Sequence, residues 1–241
     1  MNLDCTTNSY DRLYLPWLEN PGKLLDLAGY KQGDTLLDLA GGTGIISREA
    51  ARRCNNVGCI GSISLLDPNP RVPDGPYLHK WINETQGYAE SVETYYPASK
   101  FDVVVCRQAI GYINMVYAIP GIHQVLKPGG RFVFNSFGKP SLFGFKFKNH
   151  TVWPESSGDQ VIEANRTNCA PDHFRFVEFH VRLFGDVFHI QFRLSSPMGF
   201  DCTLFKYNSV DFLMELLKPW FKVEMIQKGN SVQWLCTKES E

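Results

Sequence analysis

The sequence predicts an α/β fold built on a mostly parallel β-sheet. Short apolar runs at 35–39, 62–66, 101–106 and 131–135 alternate with helical patterns along the first two thirds of the chain. Continuous apolar, β-branched runs are typical of strands that are covered on both faces. Strands and helices in alternation indicate parallel strands joined by crossover helices.

The elements between and after these strands follow from capping and turn signals. Helices are predicted at 44–54 and 115–126, and Pro120 is expected to start or kink the second. Residues 128–130 (PGG) predict a turn before the strand at 131–135. Near the end of the chain, Asn208 is a helix cap and Pro219 a helix stop. The segments 221–226 and 231–237 then predict a final hairpin.

The pattern changes between residues 136 and 206, where 12 of the 17 Phe lie. Gly185-Asp186 suits a two-residue type II′ turn, so residues 173–194 predict a hairpin. Its register would sort the strands into an apolar face and a polar face, with His180 and His189 on the polar one. We therefore expect a main domain formed by 1–135 and 207–241, and an inserted antiparallel lid formed by 136–206. The apolar pairs of the hairpin would be Leu183 with Phe188, Val181 with Ile190, Phe179 with Phe192 and Val177 with Leu194.

Composition excludes several classes of function. The 241 residues carry 24 Lys and Arg against 25 Asp and Glu, a formal net charge of −1. This balance disfavours a nucleic-acid or anionic-membrane partner, because those need a field of one sign. No apolar run is long enough to span a bilayer, and the first residues lack the apolar region of a secretory signal. The seven cysteines form no C-x-x-C pair, so we expect no metal site, reduced thiols and a cytoplasmic location.

The most informative stretch is residues 38–44 (DLAGGTG), between a predicted strand and helix. Small residues there let the backbone approach a ligand, and the helix start offers free N–H donors. A P-loop is excluded because no Gly-Lys-Ser/Thr follows, and Ser47 departs from the dinucleotide pattern. Asp67 ends the next strand, where an acid can bind a ribose diol. Together these features favour an adenosine-like ligand.

Motifs further along the chain sharpen this interpretation. Residues 87–90 (GYAE), 101–105 (FDVVV) and 126–130 (LKPGG) follow the glycine loop and Asp67 in order. In this arrangement the sequence resembles the class I S-adenosylmethionine-dependent methyltransferases, and in particular small-molecule members with a β insertion after the fifth strand. The resemblance implies a Rossmann-like, seven-stranded, mostly parallel sheet with an antiparallel last strand, plus an inserted antiparallel β lid. It also implies S-adenosyl-L-methionine as the cofactor.

The resemblance further implies a set of cofactor-binding residues. Ala40 replaces the first glycine of the family's first motif, and Tyr88 replaces the acid that flanks the adenine. Glu90 is expected to take over adenine recognition from that acid. Asp38 would orient either the loop or the ligand's amino group. The implied cofactor residues are Tyr10, Asp38, Ala40, Gly41, Gly42, Gly44, Asp67, Pro68, Ala89, Glu90, Cys106 and Arg107.

No single motif identifies the methyl acceptor or a catalytic base. Tyr10 and Tyr14 resemble the N-terminal aromatic segment that closes over the cofactor, and Arg107 and Tyr112 follow the fourth strand, where ligands bind. His180 and His189 are general-base candidates if their face lines the pocket. We expect methyl transfer to a nitrogen or oxygen of a small metabolite. A catalytically idle cofactor-binding module that docks a protein partner, a nicotinamide-dependent oxidoreductase, and a homodimer all remain open.

Overall fold

The computed structural model describes residues 20–54, 62–70, 72, 81–137, 149–154, 160–166, 176–184, 187–195, 205–208, 210–228 and 231–240. The described residues divide into two compact units. One holds the strands between Phe137 and Leu213, and the other holds the elements before Phe137 and after Leu213. The expected turn at 185–186 and the aromatic residues Tyr10 and Tyr14 lie outside the described residues.

Among the described residues, twelve strands form two sheets, of seven and five strands. The larger sheet has the order β11-β12-β5-β4-β1-β2-β3, and β1 to β5 pair in parallel within it. β11 and β12 form an antiparallel hairpin, which confirms the predicted final hairpin and the Rossmann-like sheet. The strands are β1 Leu36–Leu39, β2 Ile63–Asp67, β3 Ile82–Gln86, β4 Phe101–Cys106, β5 Leu126–Phe137, β6 Asn149–Pro154, β7 Gln160–Arg166, β8 Phe176–Phe184, β9 Val187–Ser195, β10 Phe205–Asn208, β11 Lys222–Lys228 and β12 Ser231–Thr237.

Five α-helices accompany these strands in the described part of the chain. The first helix, Pro21–Leu27, has a side-chain cap: the Asn20 side chain accepts a hydrogen bond from the Gly22 amide at 2.8 Å, and a proline begins the helix. Pro120 lies inside its helix, which begins earlier, at Met115. The helices are α1 Pro21–Leu27, α2 Ile45–Arg53, α3 Val92–Tyr95, α4 Met115–Val125 and α5 Val210–Leu217.

The PGG turn differs from its prediction. It lies inside β5, which already begins at Leu126 and pairs there with Phe101. The register then passes from Leu126 to Arg131 on β5 while β4 advances only from Phe101 to Val103. The extra residues form an irregularity in which Gly129 has a φ of +72°, a conformation that glycine adopts at little cost.

The core of the larger sheet is apolar and closely packed. The side chains of β1 and β4 are buried apart from Asp102, as expected for central parallel strands. Trp234 on β12 is fully buried and stacks on Phe134 at 5.5 Å between ring centroids. Its indole Nε1 donates a hydrogen bond to the Ser136 hydroxyl at 2.8 Å. One aromatic residue thus ties the terminal hairpin to β5.

The smaller sheet has the order β10-β9-β8-β7-β6 and is antiparallel throughout. β8 and β9 pair in the predicted register, with Leu183 opposite Phe188 and Val181 opposite Ile190. This confirms the hairpin between 176 and 195. Strands β6, β7 and β10 were not predicted, and β10 crosses the expected boundary at residue 206.

The cysteines only partly follow expectation. Cys106 and Cys236 are free and buried. Cys54 is disulfide-bonded, contrary to the expectation of reduced thiols, and its sulfur lies 3.3 Å from the Tyr30 hydroxyl. Burial raises the pKa of Tyr30 to about 12, so this hydroxyl stays protonated near neutral pH.

Replacing Trp234 with Ala should lower the free energy of unfolding by about 3–5 kcal/mol, because a buried ring and its indole hydrogen bond are both lost. Trp220 is 38% exposed and provides the matched control, so Trp220→Ala should cost distinctly less. Urea unfolding followed by circular dichroism measures both variants. Equal losses would contradict the anchoring role of Trp234.

Candidate active site

The glycine loop leaves the carboxyl end of β1 through three left-handed residues. Ala40, Gly42 and Gly44 have φ values of +53°, +54° and +71°. These are the three glycine positions of the motif to which residues 38–44 were compared, so Ala40 holds a glycine conformation with a side chain. A left-handed residue other than glycine costs roughly 1–2 kcal/mol. The Ala40 amide is held by a hydrogen bond to the Leu66 carbonyl at 2.7 Å.

Asp38 lies beneath this loop and is 1% exposed. Its Oδ2 accepts hydrogen bonds from the Ser47 amide at 3.0 Å and the Ser47 hydroxyl at 2.8 Å. Ser47 is in the first turn of α2, where backbone amides lack partners within the helix. A Cβ at Gly41 would lie 2.7 Å from the Asp38 carboxyl carbon, so only glycine fits there. Asp38 therefore fixes both the loop and the start of α2.

Burial also changes the acidity of Asp38. It raises the pKa of this carboxyl from an ordinary value of 3.8 to about 6, although the Ser47 hydrogen bonds and the charge of Arg107 act in the opposite direction. The negative charge of Asp67 adds to the increase. Arg107 and Asp67 are thus close enough to Asp38 for their charges to act on it.

Asp67 ends β2 directly beside the glycine loop. Its Oδ2 accepts a hydrogen bond from the Gly42 amide at 2.9 Å, and its Oδ1 accepts one from the Asn69 amide at 2.8 Å. A carboxylate has about four lone-pair sites, so two backbone donors leave capacity for a ligand. Neighbouring Pro68 is exposed, and its carbonyl accepts a hydrogen bond from the Gln86 side chain at 3.0 Å.

The GYAE segment follows β3 along the same edge of the sheet. Ala89 is 5% exposed and Tyr88 is 62% exposed. The Oε1 of Glu90 accepts a hydrogen bond from the backbone amide of Asn114, the residue before α4, at 2.7 Å. Glu90 therefore joins the end of β3 to the start of α4, and adenine recognition by its remaining oxygen stays a prediction.

The end of β4 completes this edge. Burial, and then the nearby Asp38 charge, raise the pKa of the Cys106 thiol. Gln108 has a φ of +55°, and its amide donates a hydrogen bond at 2.7 Å to Asn135, a side chain that is 7% exposed on β5. Strained residues of this kind cluster at functional sites. Arg107 lies between the buried thiol and this turn.

The structure places the catalytic candidates in different parts of the chain. Arg107 and Tyr112 follow β4, and the Tyr112 side chain is 46% exposed. His180 and His189 are in the five-stranded sheet, opposite Gln191 and Arg182 respectively. Tyr10 and Tyr14 are outside the described residues. The cofactor contact of Tyr10 and the catalytic roles of Tyr14, Arg107, Tyr112 and the two histidines stay predictions.

Two residues that support the site were missed at the sequence level. Ser47 was counted only as a departure from the dinucleotide pattern, yet it supplies both hydrogen-bond donors to Asp38. Its position in the first helical turn after the loop was the available signal. Asn135, inside the apolar run 131–135, holds the Gln108 backbone. A polar residue in a buried strand was the signal there.

Comparison with known proteins assigns the family. A family profile described as a methyltransferase domain matches residues 12–177, more than half of the chain. The chain belongs to the class I S-adenosylmethionine-dependent methyltransferases. It is 34% identical over 125 residues to the ubiquinone/menaquinone biosynthesis C-methyltransferase UbiE of Pseudomonas aeruginosa, a match that covers 48% of this chain and 47% of that protein. The chain thus spans about half the length of the curated relatives it matches.

Solved structures agree on the fold. DesVI of Streptomyces venezuelae superposes with a TM-score of 0.60 at 16% identity, covering 97% of this chain and 98% of that one. An S-adenosylmethionine-dependent methyltransferase of Clostridium acetobutylicum superposes with a TM-score of 0.59 at 15% identity, covering 96% of both chains. Both match nearly the whole chain.

The residues present fit S-adenosylmethionine, the cofactor of this family. An added Cβ at Gly42 would meet nothing within 4 Å, so open space lies beside the loop backbone. Asp67 retains capacity at the carboxyl end of β2, next to that space. β1 is also where the strand order reverses, the usual ligand site of an open α/β sheet. Within the described part of the chain, there is no cluster of three or more metal-ligating side chains and no helix long and apolar enough to cross a membrane.

Ala40→Gly should raise the free energy of unfolding by about 1 kcal/mol, because glycine adopts this left-handed conformation without strain. Gly42→Ala is the mirror-image control: its new methyl group meets open space, so only the dihedral strain changes, and stability should fall. Urea unfolding of both variants measures the pair. Destabilisation by Ala40→Gly would contradict the strain at this position.

Asp38→Asn should flatten the pH dependence of stability. In the protein with Asp38, this carboxyl is protonated up to about pH 6 when the chain is folded, but only up to about pH 4 when it is unfolded. The free energy of unfolding should therefore fall by about 3 kcal/mol as the pH rises through that window. The amide removes the titrating group and keeps an oxygen acceptor for Ser47. Unfolding free energies measured across the window provide the test.

Glu49→Gln provides a control of opposite sign. A hydrogen bond from Arg52 chiefly holds the pKa of Glu49 down at about 2, so this residue contributes stability that is lost as the pH falls toward that value. The Gln variant should keep the fall in stability between about pH 5 and pH 6, because the contribution of Glu49 changes with pH mainly below its ordinary pKa of 4.5. An unchanged slope in Asp38→Asn would show that another group titrates there.

Proposed function

We propose that the chain transfers a methyl group from S-adenosyl-L-methionine to a nitrogen or oxygen of a small metabolite. The observation that carries the proposal is the 2.9 Å hydrogen bond from the Gly42 amide to the Asp67 carboxylate. It joins the glycine loop and the acid after β2 in one structure at the carboxyl edge of the sheet. Family membership supports the reaction, and the local geometry supports the roles below.

Each cofactor contact is assigned to residues whose surroundings suit it. Gly41, Gly42 and Gly44 would let the methionine part lie close to the backbone, with Asp38 holding the loop from below. Asp67, with Pro68 beside it, would bind the ribose hydroxyls through its remaining lone pairs. Ala89 and Glu90 would border the adenine. The remaining members of the proposed set are Tyr10, Ala40, Cys106 and Arg107.

The chemistry asks mainly for positioning. When bound, S-adenosylmethionine supplies a methyl group on a positively charged sulfur that is already activated for transfer. The protein then has to hold a nucleophile in line and keep water out. Arg107 and Tyr112 at the end of β4 are the side chains proposed to orient the acceptor, with Tyr14, His180 and His189 as further candidates.

Nitrogen or oxygen is favoured as the acceptor atom because both carry lone pairs that need little activation. A carbon acceptor requires removal of a proton from carbon or an electron-rich ring, and hence a well-placed base. The similarity to a ubiquinone/menaquinone C-methyltransferase is the observation in favour of carbon. It covers about half of each chain, so carbon is kept as the second candidate. Nothing in the family assignment supports an idle module that docks a protein.

The remaining proposals concern the surroundings of the reaction. We propose that residues 136–206 form a lid over the acceptor, and that the main domain comprises 1–135 and 207–241. The high Phe content of the insertion supports a role in excluding water. The small net charge supports a small-molecule acceptor over nucleic acid. A cytoplasmic location and a homodimer complete the proposal.

A metabolite extract incubated with the protein and carbon-13 methyl-labelled S-adenosylmethionine tests the reaction. Labelled products are separated by mass, and the carbon-13 shift of the new methyl group distinguishes nitrogen, oxygen and carbon acceptors. A labelled nitrogen or oxygen methyl group is the expected result. Labelling only at carbon would overturn the choice of acceptor atom, and no labelling above a heat-denatured control would count against the reaction.

Asp67→Asn should weaken S-adenosylhomocysteine binding about tenfold to a hundredfold, because hydrogen bonds to a charged acceptor are worth about 1.5–3 kcal/mol. Isothermal titration calorimetry measures the affinity. Asp102→Asn is the control: Asp102 accepts hydrogen bonds from Thr35 and Lys127 near the amino end of β4, away from the glycine loop. Equal affinities in the native and Asp67→Asn proteins would exclude the ribose assignment.

A further inference from the structure

β10 brings a third cationic residue to the polar face of the inserted sheet. Lys206 on β10 is directly opposite His189 on β9, and His189 is directly opposite Arg182 on β8. Directly opposite positions of neighbouring strands share one face of a sheet. The register thus sets Arg182, His189 and Lys206 in one line across three adjacent strands, here called the cationic row.

Among its described positions, the rest of this line carries no acidic residue. The row continues on β7 with Val161 and on β6 with Trp153, both uncharged. Like charges directly opposite each other destabilise a sheet, so the arrangement costs stability in the absence of a counter-ion. Four residues further along, the same face pairs opposite charges, because Arg193 there is directly opposite Glu178.

The positions two residues away from the row are also accounted for. On one side, Glu163 is directly opposite His180, and Gln191 completes that line. Glu163 is therefore diagonal to Arg182 rather than opposite to it. On the other side, the described positions of the line are Phe184, Val187 and Asn208, and none of these three is charged. The described acids of this face therefore lie in other lines than the cationic row. None of them is directly opposite His189 or Lys206.

We propose that the cationic row binds the phosphate group or groups of a small molecule. Neighbouring strands are about 4.8 Å apart, so the row spans about 10 Å, a length suited to a phosphate or diphosphate. Two permanently charged residues flank a histidine that can be protonated, and an anion of this kind would compensate all three. The phosphate can belong to the methyl acceptor or to a separate effector. The site does not depend on the methyl-transfer proposal.

Inorganic pyrophosphate is the probe. Lys206→Gln and Arg182→Gln should each weaken its binding to the full-length protein about tenfold or more, as expected for the loss of one charged partner. Without pyrophosphate, the same variants should melt at a higher temperature than the native protein, because like-charge repulsion is relieved. Arg193→Gln is the matched control. It removes a cation that has an acidic partner on the same face, so it should leave pyrophosphate binding unchanged and should not raise the melting temperature.

Three results would overturn the proposal. The first is that the folded native protein does not bind pyrophosphate, and the second is that Arg193→Gln loses as much binding as Lys206→Gln. The third is that both Lys206→Gln and Arg182→Gln melt at a lower temperature than the native protein when no anion is present. Tighter binding of a single-stranded RNA oligonucleotide than of pyrophosphate, lost in the same variants, would replace the small molecule with a nucleic acid.

A second arm identifies the source of the phosphate. Pyrophosphate is added to the labelled methyl-transfer assay, with native protein and with Lys206→Gln. Competitive inhibition in the native protein, relieved in the variant, places the phosphate on the acceptor. Binding by calorimetry without inhibition indicates a separate effector. If no methyl transfer is detected at all, the proposed reaction fails while calorimetry still decides the anion site.

Discussion

The buried carboxyl of Asp38 is the constraint on which the rest of the candidate site depends. A charge at this depth needs hydrogen-bond donors, and the Ser47 amide and hydroxyl supply them. That requirement sets where α2 begins, and so how the chain must turn between β1 and the helix. The turn leaves room only for glycine at position 41 and directs the Gly42 amide to Asp67. The loop, the start of the helix and Asp67 are thus coupled through one buried group.

This coupling explains why the loop tolerates one departure from its family pattern. Ala40 keeps the left-handed conformation that glycine would adopt freely, and its amide still donates to the Leu66 carbonyl. The conformational free energy that the Ala40 methyl group costs is about that of one or two hydrogen bonds. The segment that bears this cost is held by hydrogen bonds at both ends. Tyr88, the second departure, stands where the family has an acid. Because Tyr88 is exposed, this difference leaves the buried contacts of the segment unchanged.

The features that sequence alone predicted are those governed by local rules. The β8–β9 register followed from a two-residue turn, because a shift by one position would exchange the two faces. The glycine loop and Asp67 followed from small residues placed after apolar strands. By contrast, β10 is too short to show a period, and its pairing with β9 depends on the fold of the whole insertion. The hydrogen bonds from Asn114 to Glu90 and from Gln108 to Asn135 join residues far apart in sequence, which no local pattern reveals.

The two sheets handle charge in different ways, and this changes the meaning of the net charge of −1. In the larger sheet, carboxyls have nearby donors or cations, as buried Asp38 has Ser47 and partly exposed Asp102 has Lys127. In the smaller sheet, the register gathers cations in one line and pairs opposite charges in another line of the same face, four residues away. A balanced total argues against a field that covers the whole surface, and hence against a long polyanion. The balanced total does not exclude a local cluster of cations that is only three strands wide. Because direct charge interactions weaken within about 10 Å at ordinary salt, the local arrangement decides which small anions can bind.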